Sequence, residues 1–462
     1  MKLLLASVAL LAAFAASREG QSGKSFRKPD QNGWIYVHLE GTPREIGFQH
    51  GWQLAPEIED LQKVLQLELT HDTGKSYEFF RTAAEKVLWP HVDAEYREEL
   101  QGIVQGLKAK GVKLDLWDVV VMNGALELNG YYTDWYNKNH GQTSAAKTTV
   151  AERCSAFIAT GSFTKDGNIV IGHNDWTNYL DGARWRIIFD IVPAKGNHIL
   201  MDGLPGVIHS GDDFGVNSAG MVITETTIAG FHGFDPNGVP EFVRARKAMQ
   251  YSNSIDDFAR LMKDGNNGGY ANNWLVADRK THEIADLELG LKNVNLRRTK
   301  DGYFVGSNFP VDAKLAKQET TFDLKDMGQS PNARRVRAEQ LVQENKGRID
   351  IAFGKKFLSD HYDSFARKID PSERTLCGHI ELSPRGDMPW QPPYGTAGAV
   401  QNKVADADGA GKMSFEAALG HACGLKVKAA DHLKAHPEFA WEKPLLRDLP
   451  ANPWTEFHGT PF

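Results

Sequence analysis

The sequence has 462 residues, of which 41% are hydrophobic, 24% charged and 10% aromatic. These fractions are typical of folded globular proteins and exclude a disordered or collagen-like chain. The 53 lysines and arginines stand against 59 aspartates and glutamates, which gives a net charge of −6. No long basic stripe offsets that charge, so we expect no nucleic-acid partner.

The first residues have the layout of a secretory signal peptide. One lysine precedes an apolar run of about a dozen residues, and the small-residue triplet Ala13-Phe14-Ala15 offers a cleavage site. The run stops at Ser17, short of the roughly 20 residues that a membrane-spanning helix needs. We therefore expect residues 1–16 to be a signal peptide, and the mature protein to be secreted or periplasmic without an integral membrane segment.

Residues 30–136 are predicted to form an N-terminal helical region. Thr42 precedes Pro43 and lies three residues before Glu45, a pattern that predicts a capping box at the start of a helix. Farther along, apolar residues recur at helical spacing and stop at Gly111, which suits a left-handed C-terminal cap. These residues are Leu100, Ile103, Val104 and Leu107.

Residues 137–153 are polar and small, as in an exposed linker that a protease can reach. We predict that this linker is cleaved or removed when the protein matures. A strand pattern starts directly after it, and a Lys165-Asp166-Gly167 turn predicts a β-hairpin made of residues 155–163 and 168–172.

Residues 154–462 alternate between groups of strands and groups of helices. Strands are predicted at 186–192, 215–216, 220–228, 274–277, 282–289 and 303–305, and helices begin after Pro240 and after the cap residue Ser254. This order predicts an α+β layered sandwich with a largely antiparallel sheet rather than a doubly wound fold.

Cys154 is the strongest candidate for catalysis, because it opens a strand directly behind a cleavable linker. Cleavage of the Arg153–Cys154 bond would give Cys154 a free α-amino group with a pKa of about 7.7–8.0. That amine can act as a base for the thiol of the same residue. A buried cysteine that serves only as a small hydrophobic residue is the structural alternative.

Three further residues are predicted to complete this site. His173 and Asp175 lie at the end of the second hairpin strand, so strand pairing can return them to Cys154, where they could polarise the thiol and orient the α-ammonium. Asn272 follows a glycine-rich stretch, and its amide could stabilise an oxyanion. Turn-forming roles for the Asn and Asp residues are the alternative interpretation.

Other polar groups give weaker signals. His209 with Asp212 and Asp213, and Asp360 with His361, lack the spacing that places several metal ligands on one face. We therefore predict no metal site and no cofactor. Cys377 and Cys423 could form a disulfide, which spacing alone does not decide. A solvated helix face is expected to carry Arg334, Arg335 and Arg337.

Several of these motifs resemble those of the phospholipase B-like proteins. The run PGVIHSGDDFGVNSAGMVITETTI (205–228) and the stretch Tyr270–Trp274 carry most of this resemblance. The chain also resembles the penicillin-type acyltransferases at Gly41–Gly51, Asp360-His361 and Cys377–His379. The resemblance extends from about Gly41 to Asp406.

Both families are N-terminal-nucleophile hydrolases. The resemblance implies a four-layer αββα sandwich, self-cleavage before the nucleophile, and hydrolysis of an acyl amide or ester. It implies Cys154 as nucleophile, His173 and Asp175 in the pocket, and Asn272 as oxyanion amide. Trp176, Glu225 and Asn273 are expected to bind substrate.

The resulting hypothesis is an exported, self-processing cysteine hydrolase that acts on a linear acyl amide or a (lyso)phospholipid through a thioester. Its two self-cleaved chains are expected to remain associated. Three alternatives remain open: an acyltransferase, a metal-dependent amidase or esterase, and a non-catalytic binding or scaffold protein on the same fold.

Overall fold

The computed structural model describes residues 25–142, 154–211, 214–386 and 390–461. The predicted signal peptide, Arg153, most of the predicted linker and the pair Asp212 and Asp213 lie outside the described residues. None of the helices in the described ranges combines the length and the apolarity that crossing a membrane requires.

The N-terminal region is mainly helical, as predicted. Its helices are α1 (Pro43–Gln53), α2 (Ala55–Thr73), α3 (Tyr77–Ala83), α4 (Ala94–Ala109), α5 (Leu116–Asn123) and α6 (Thr133–Asn139), with π-helical turns at Ala84–Leu88 and Glu127–Tyr132 and a 3₁₀ turn at Trp89–His91. Thr42 and Glu45 form the expected capping box of α1. Because α6 extends to Asn139, the first three residues of the predicted linker are helical.

The same region also contributes strands, which the helical prediction missed. Strands β1 (Phe26–Arg27) and β2 (Ile35–Gly41) precede α1. Strand β2 pairs in parallel with β5 (Ile187–Pro193), although about 150 residues separate them in the sequence. A parallel partner so far away leaves no local signal, so the pairing was not predictable from periodicity. The N-terminal region is therefore joined to the main sheet.

The larger sheet in the described chain has nine strands in the order β1-β2-β5-β6-β7-β8-β9-β10-β11. The remaining members are β6 (Ile199–Gly203), β7 (Phe214–Asn217), β8 (Met221–Thr227), β9 (Asn272–Asp278), β10 (Glu283–Leu289) and β11 (Val294–Thr299). Apart from the β2–β5 pair its pairings are antiparallel, as expected.

A six-stranded antiparallel sheet has the order β12-β3-β4-β15-β16-β17. Its strands are β3 (Ser155–Thr160), β4 (Val170–Asn178), β12 (Gly302–Gly306), β15 (Ala397–Asp406), β16 (Ser414–Leu419) and β17 (Thr455–His458), and β13 (Tyr362–Asp363) pairs separately with β14 (Lys368–Ile369). The predicted hairpin is confirmed as the pair β3–β4.

Eight further helices lie in the second half of the described chain. They are α7 (Tyr179–Gly182), α8 (Glu241–Tyr251), α9 (Ile255–Lys263), α10 (Ala313–Glu319), α11 (Ser330–Glu344), α12 (Ile351–Leu358), α13 (Ala407–Gly411) and α14 (Ala429–Ala435), with 3₁₀ turns at Gly161–Phe163, Ile380–Leu382 and Pro437–Glu442. The predicted helices after Pro240 and Ser254 are α8 and α9.

Three buried cores define the layers. The core between the sheets combines Leu200 and Leu275 of the nine-stranded sheet with Ile158 of the six-stranded sheet. Outside the nine-stranded sheet, its residues pack on the N-terminal helices and on α8 and α9. Outside the six-stranded sheet, Phe157 packs on α11 and α12. This helix–sheet–sheet–helix order confirms the predicted αββα sandwich of the α+β class.

Candidate active site

Cys154 lies at the start of β3 and is fully buried. Its Sγ atom is 3.7 Å from Oδ1 of Asp175 and 3.9 Å from Oε1 of Glu225. Its backbone has φ of +91°, a conformation that costs an L-residue free energy. The thiol thus lies between two carboxyl groups, at a strained backbone position. We call Cys154, His173, Asp175 and Glu225 the nucleophile site.

Pairing of β3 with β4 positions two of the predicted residues. Ser155 is opposite Asn174 and Ala156 is opposite His173, so the end of β4 runs beside Cys154. Because side chains alternate along a strand, His173 and Asp175 share one face of β4. That face is the one that meets Cys154, and the structure therefore brings together three residues that the sequence analysis had grouped.

The imidazole of His173 is neutral in this environment. Complete burial, together with the nearby positive charge of Lys403, holds the pKa of His173 well below its usual value. Lys403 is opposite His173 in the β4–β15 pair, and its Nζ lies 3.4 Å from Oδ2 of the equally buried Asp202. A neutral imidazole beside the thiol can accept a hydrogen bond, but with so low a pKa it is a weak base and does not supply a positive charge.

Glu225, which is predicted to bind substrate, lies next to the nucleophile, with its Oε1 atom 3.9 Å from Sγ of Cys154. Its Oε1 atom also accepts a hydrogen bond of 3.1 Å from the hydroxyl of Tyr270. The ligand atoms of Cys154, His173 and Glu225 lie within 4.8 Å of one another. These three groups therefore have the spacing either of a polar catalytic site or of a small metal site.

Arg334 is a site residue that the sequence analysis placed on a solvated helix face, and this prediction is wrong. The residue is fully buried on α11. One guanidinium nitrogen donates to the carbonyl oxygen of Cys154 at 2.5 Å and to Oγ of Ser155 at 3.2 Å, and another donates to Oδ1 of Asn308 at 2.9 Å. Arg334 therefore fixes the backbone of the nucleophile and places a positive charge next to it.

A sequence signal for the burial of Arg334 does exist. Ala338 and Leu341 follow Arg334 by four and seven positions, so all three residues share one face of the helix. Ala338 and Leu341 belong to the core outside the six-stranded sheet. Arg335 and Arg337 are partly exposed, as expected.

The two adjacent amides at the start of β9 differ in their surroundings. Both polar atoms of the Asn272 side chain are buried without a hydrogen-bond partner in the described chain. Asn273 instead donates from Nδ2 to the carbonyl of Phe309 at 2.9 Å. In the β8–β9 pair, Glu225 is opposite Trp274. Asn272 lies two residues before Trp274 on β9, so its side chain is on the same face of the sheet as that of Glu225.

Trp176 packs behind the strand that carries His173 and Asp175, and its predicted role in substrate binding stays a prediction. Its indole is fully buried on the face of β4 opposite to Asp175. The indole nitrogen donates to Oδ1 of Asn174 at 3.0 Å, and the guanidinium of Arg334 lies 4.2 Å from the ring centroid. Three other aromatic residues of neighbouring strands and turns are also buried in cores: Tyr179, Phe214 and Trp274.

A cavity of about 770 Å³ opens between α6 and the segment that follows β8. Aromatic residues line it together with two lysines and two carboxylic acids: Tyr131, Trp135, Phe231, Phe234, Lys138, Lys292, Asp134 and Glu319. Phe231 follows Ala229, whose amide donates to the carbonyl of Asn308, a partner of Arg334. The residues of the nucleophile site are not among those that line the cavity, whose size suits a small-molecule ligand.

A second group of sulfur and imidazole side chains lies apart from these residues. It comprises His361, Cys377, His379 and Cys423, whose ligand atoms are within 4.8 Å of one another. Both cysteines are free thiols, so the structure contains no disulfide between them. The spacing of single motifs did not predict this group, because its members come from three separate segments of the chain. We call it the Cys/His cluster.

Comparisons with known proteins place these features in a family context. The Phospholipase B family model matches residues 75–288. Putative phospholipase B-like 2 of Mus musculus is 31% identical over 316 residues, covering 58% of this chain and 52% of that protein. A protein of Archaeoglobus fulgidus is 24% identical over 267 residues, covering 54% of this chain and 42% of its own. The matches span about half the length of these relatives.

A mutant form of conjugated bile acid hydrolase from Clostridium perfringens aligns with 57% of this chain and 89% of its own, at 13% identity and a TM-score of 0.33. The sequence matches confirm the resemblance predicted from the motifs: the chain is related to the phospholipase B-like proteins.

Proposed function

We propose that this protein is a self-processing hydrolase of acyl amide or acyl ester bonds, with Cys154 as its nucleophile. The observation that supports this most strongly is the position of the thiol. It is buried at the start of a strand, with two carboxyl groups within 4 Å and a guanidinium on its own carbonyl. The names of the phospholipase B-like relatives support the same class of reaction.

Maturation would use the same chemistry as turnover. The Cys154 thiolate attacks the carbonyl carbon of Arg153, the Arg153–Cys154 amide bond breaks, and the acyl group moves to sulfur. Water then hydrolyses the thioester and leaves Cys154 with a free α-amine. The positive φ of Cys154 favours this step, because breaking the bond releases the backbone strain.

In turnover, the α-amine takes the thiol proton and the thiolate attacks the acyl carbon of the substrate. Asn272 donates a hydrogen bond to the oxyanion, a role that suits a buried amide without another partner. The α-ammonium then protonates the departing amine or alcohol, and Asp175 orients this ammonium. Water releases the acid from the thioester and regenerates the thiol.

The substrate is an acyl compound with an apolar chain. The aromatic cavity would hold that chain. Its lining carries Asp134 and Glu319 as well as the two lysines, so charge at the cavity does not choose between a neutral and an anionic head group such as that of a (lyso)phospholipid. Because both amides and esters react through the same thioester, the choice between them depends on the leaving group. We expect an exported protein whose two chains remain associated through the shared nine-stranded sheet.

The test is intact mass and N-terminal sequencing under denaturing conditions. Wild type should give two chains, one of which begins Cys-Ser-Ala-Phe, whereas Cys154→Ala should remain a single chain. The exposed Asp431→Asn is the control, since it alters neither the nucleophile site nor the two other cysteines and should still be processed. A single chain in folded wild type would contradict self-processing and favour the non-catalytic scaffold.

A metal-dependent hydrolase is the second candidate, favoured by the close spacing of Cys154, His173 and Glu225. In that case Cys154→Ala would bind less metal than wild type. Our proposal predicts equal metal content in the two proteins and complete loss of hydrolysis in Cys154→Ala, by at least about 10⁴-fold.

A further inference from the structure

The Cys/His cluster gathers four side chains from three segments of the chain. His361 follows α12, Cys377 and His379 precede the 3₁₀ turn at Ile380–Leu382, and Cys423 follows β16. Two thiols and two imidazoles are the ligand set of many structural zinc sites, in which four protein ligands close the coordination shell. Cys377 and His379 are buried, whereas His361 and Cys423 are partly exposed, so a metal ion can enter from that side.

The distances within the cluster match a tetrahedral ion. Nε2 of His379 lies 3.5 Å from the Sγ atom of Cys377 and 3.5 Å from that of Cys423. It lies 3.2 Å from Nε2 of His361. A tetrahedron with usual zinc–sulfur and zinc–nitrogen bonds has sulfur–nitrogen edges of about 3.6 Å and nitrogen–nitrogen edges of about 3.3 Å. One imidazole nitrogen with three such neighbours cannot satisfy all of them by hydrogen bonding, but a shared metal ion satisfies them together.

A carboxylate supports the central imidazole in the way that metal-binding histidines require. Nδ1 of His379 is 2.9 Å from Oε1 of Glu381, and the other oxygen of Glu381 accepts a 2.6 Å hydrogen bond from the Tyr179 hydroxyl. With its proton held on Nδ1, His379 directs the lone pair of Nε2 towards the other three ligands. The hydrogen bonds of Glu381 and Tyr179 therefore fix both the tautomer and the orientation of the His379 ring.

We propose that His361, Cys377, His379 and Cys423 bind a structural zinc ion. All four positions of the ion are filled by protein, so it has no open site for substrate and contributes to stability. Zinc binding and a disulfide between the two cysteines exclude each other, which makes the proposal testable by mass alone. The proposal does not depend on the proposed hydrolase activity.

The zinc ion would hold one of the three segments, residues 376–379, against the back of the nucleophile site. The side-chain amide of Asn174 donates to the carbonyl of Leu376 at 2.8 Å, and its Oδ1 accepts from the backbone amide of Ser155 at 3.0 Å. Gly378, between two of the ligands, packs so closely on Trp176 that a Cβ atom would lie 2.3 Å from the indole. The metal-bound loop therefore fits directly behind the strand that carries His173 and Asp175.

The experiment measures zinc in the full-length protein purified under reducing conditions, by inductively coupled plasma mass spectrometry. We expect about one zinc per chain in wild type and background zinc in His361→Ala and Cys423→Ser. Cys154→Ala and His432→Ala, which leave the cluster intact, should keep the ion. Replacement of zinc by cobalt should give the absorption of tetrahedral cobalt with thiolate ligands.

Variants that fail to fold would not decide the question, so wild type provides the second measurement. Zinc removed from wild type with a chelator should return on titration with zinc chloride and restore the melting temperature. The proposal is overturned if reduced wild type takes up no zinc, or if the protein as purified contains a Cys377–Cys423 disulfide. Self-processing is scored on wild type by intact mass, apart from its zinc content, so failure of the zinc proposal is distinct from failure of the proposed hydrolase.

Discussion

Strand β4 separates two buried sites that combine sulfur and imidazole, and they differ in what surrounds the sulfur. On one face, the Cys154 thiol has carboxyl neighbours at 3.7 and 3.9 Å. On the other side, two thiols and an imidazole surround Nε2 of His379 at 3.2–3.5 Å. A carboxylate does not bond to a thiolate, so the sulfur of Cys154 stays available to attack an acyl carbon. In the Cys/His cluster, thiols and imidazoles converge on one point, and such ligands favour a metal ion. The comparison teaches that the neighbours of a cysteine, more than its burial, decide its chemistry.

Removing Arg334 should have the largest effect on stability and sharpen this comparison. Arg334→Met leaves three buried acceptors without their donor, on Cys154, Ser155 and Asn308, and should lower the free energy of unfolding by about 3–5 kcal/mol. Urea unfolding of the variant measures this loss. Arg335→Met, one position along the same helix, should change stability by less than about 1 kcal/mol.

Self-processing of Arg334→Met should be impaired at a temperature where the variant is still folded, while its zinc content stays at the wild-type level. Arg334→Lys keeps the charge but not the planar fork of donors, so it should recover only part of the stability. Equal stability of Arg334→Met and Arg335→Met would contradict the supporting role of Arg334.

Removing the amide of Asn272 tests the chemistry of the nucleophile site. Asn272→Ala should lower kcat by about 10²–10³, because an oxyanion-hole donor is lost, and leave KM nearly unchanged. Asn273→Ala is the matched control. It loses the hydrogen bond to the Phe309 carbonyl and should lower stability by about 1–3 kcal/mol, with a smaller effect on kcat. The reverse result would assign the oxyanion to Asn273.

Asp190 is a buried carboxylate that belongs to neither site, and its replacement should change the stability of the protein but not its chemistry. Asp190 accepts hydrogen bonds from Tyr36 and from the backbone amide of Thr460, and it contacts His38 and His198. Burial by itself raises the pKa of Asp190, but the hydrogen bonds from His198 and His38 outweigh it, so the pKa lies below its usual value. Asp190→Asn should cost about 1–3 kcal/mol at pH 7.

The sign of the pH dependence follows from this lowered pKa. The stabilisation by Asp190 is complete above the pKa of an unfolded aspartate, about 3.9, and is lost as the pH falls towards the lower pKa of the folded protein. Urea unfolding from pH 7 to pH 2.5 should therefore show the difference between wild type and Asp190→Asn shrinking below about pH 4. The exposed Asp431→Asn serves as control, and a constant difference would contradict the assignment.

The parts of the molecule that could be predicted from sequence depend on near neighbours in the chain. The β3–β4 hairpin, the Thr42 capping box and the grouping of Cys154 with His173 and Asp175 all follow from patterns within about 20 residues. Resemblance to a known family then supplied the four layers, which local patterns alone did not specify.

The missed parts depend on contacts between distant segments. Strand β2 finds a parallel partner far along the chain, and Arg334 reaches Cys154 across 180 positions. The Cys/His cluster joins segments up to about 60 residues apart, so no single motif has the spacing of a metal site. Packing decides such contacts, and one sequence without its fold contains little sign of them.

The most direct test of the nucleophile is to trap its acyl intermediate. Processed wild type would be mixed with a fatty-acyl p-nitrophenyl ester, quenched in acid within the first turnover and mapped by peptide mass spectrometry. The account predicts one acyl group, labile to hydroxylamine, on the N-terminal peptide that begins at Cys154. Turnover by Cys154→Ala, or an acyl group on another residue of wild type, would contradict it.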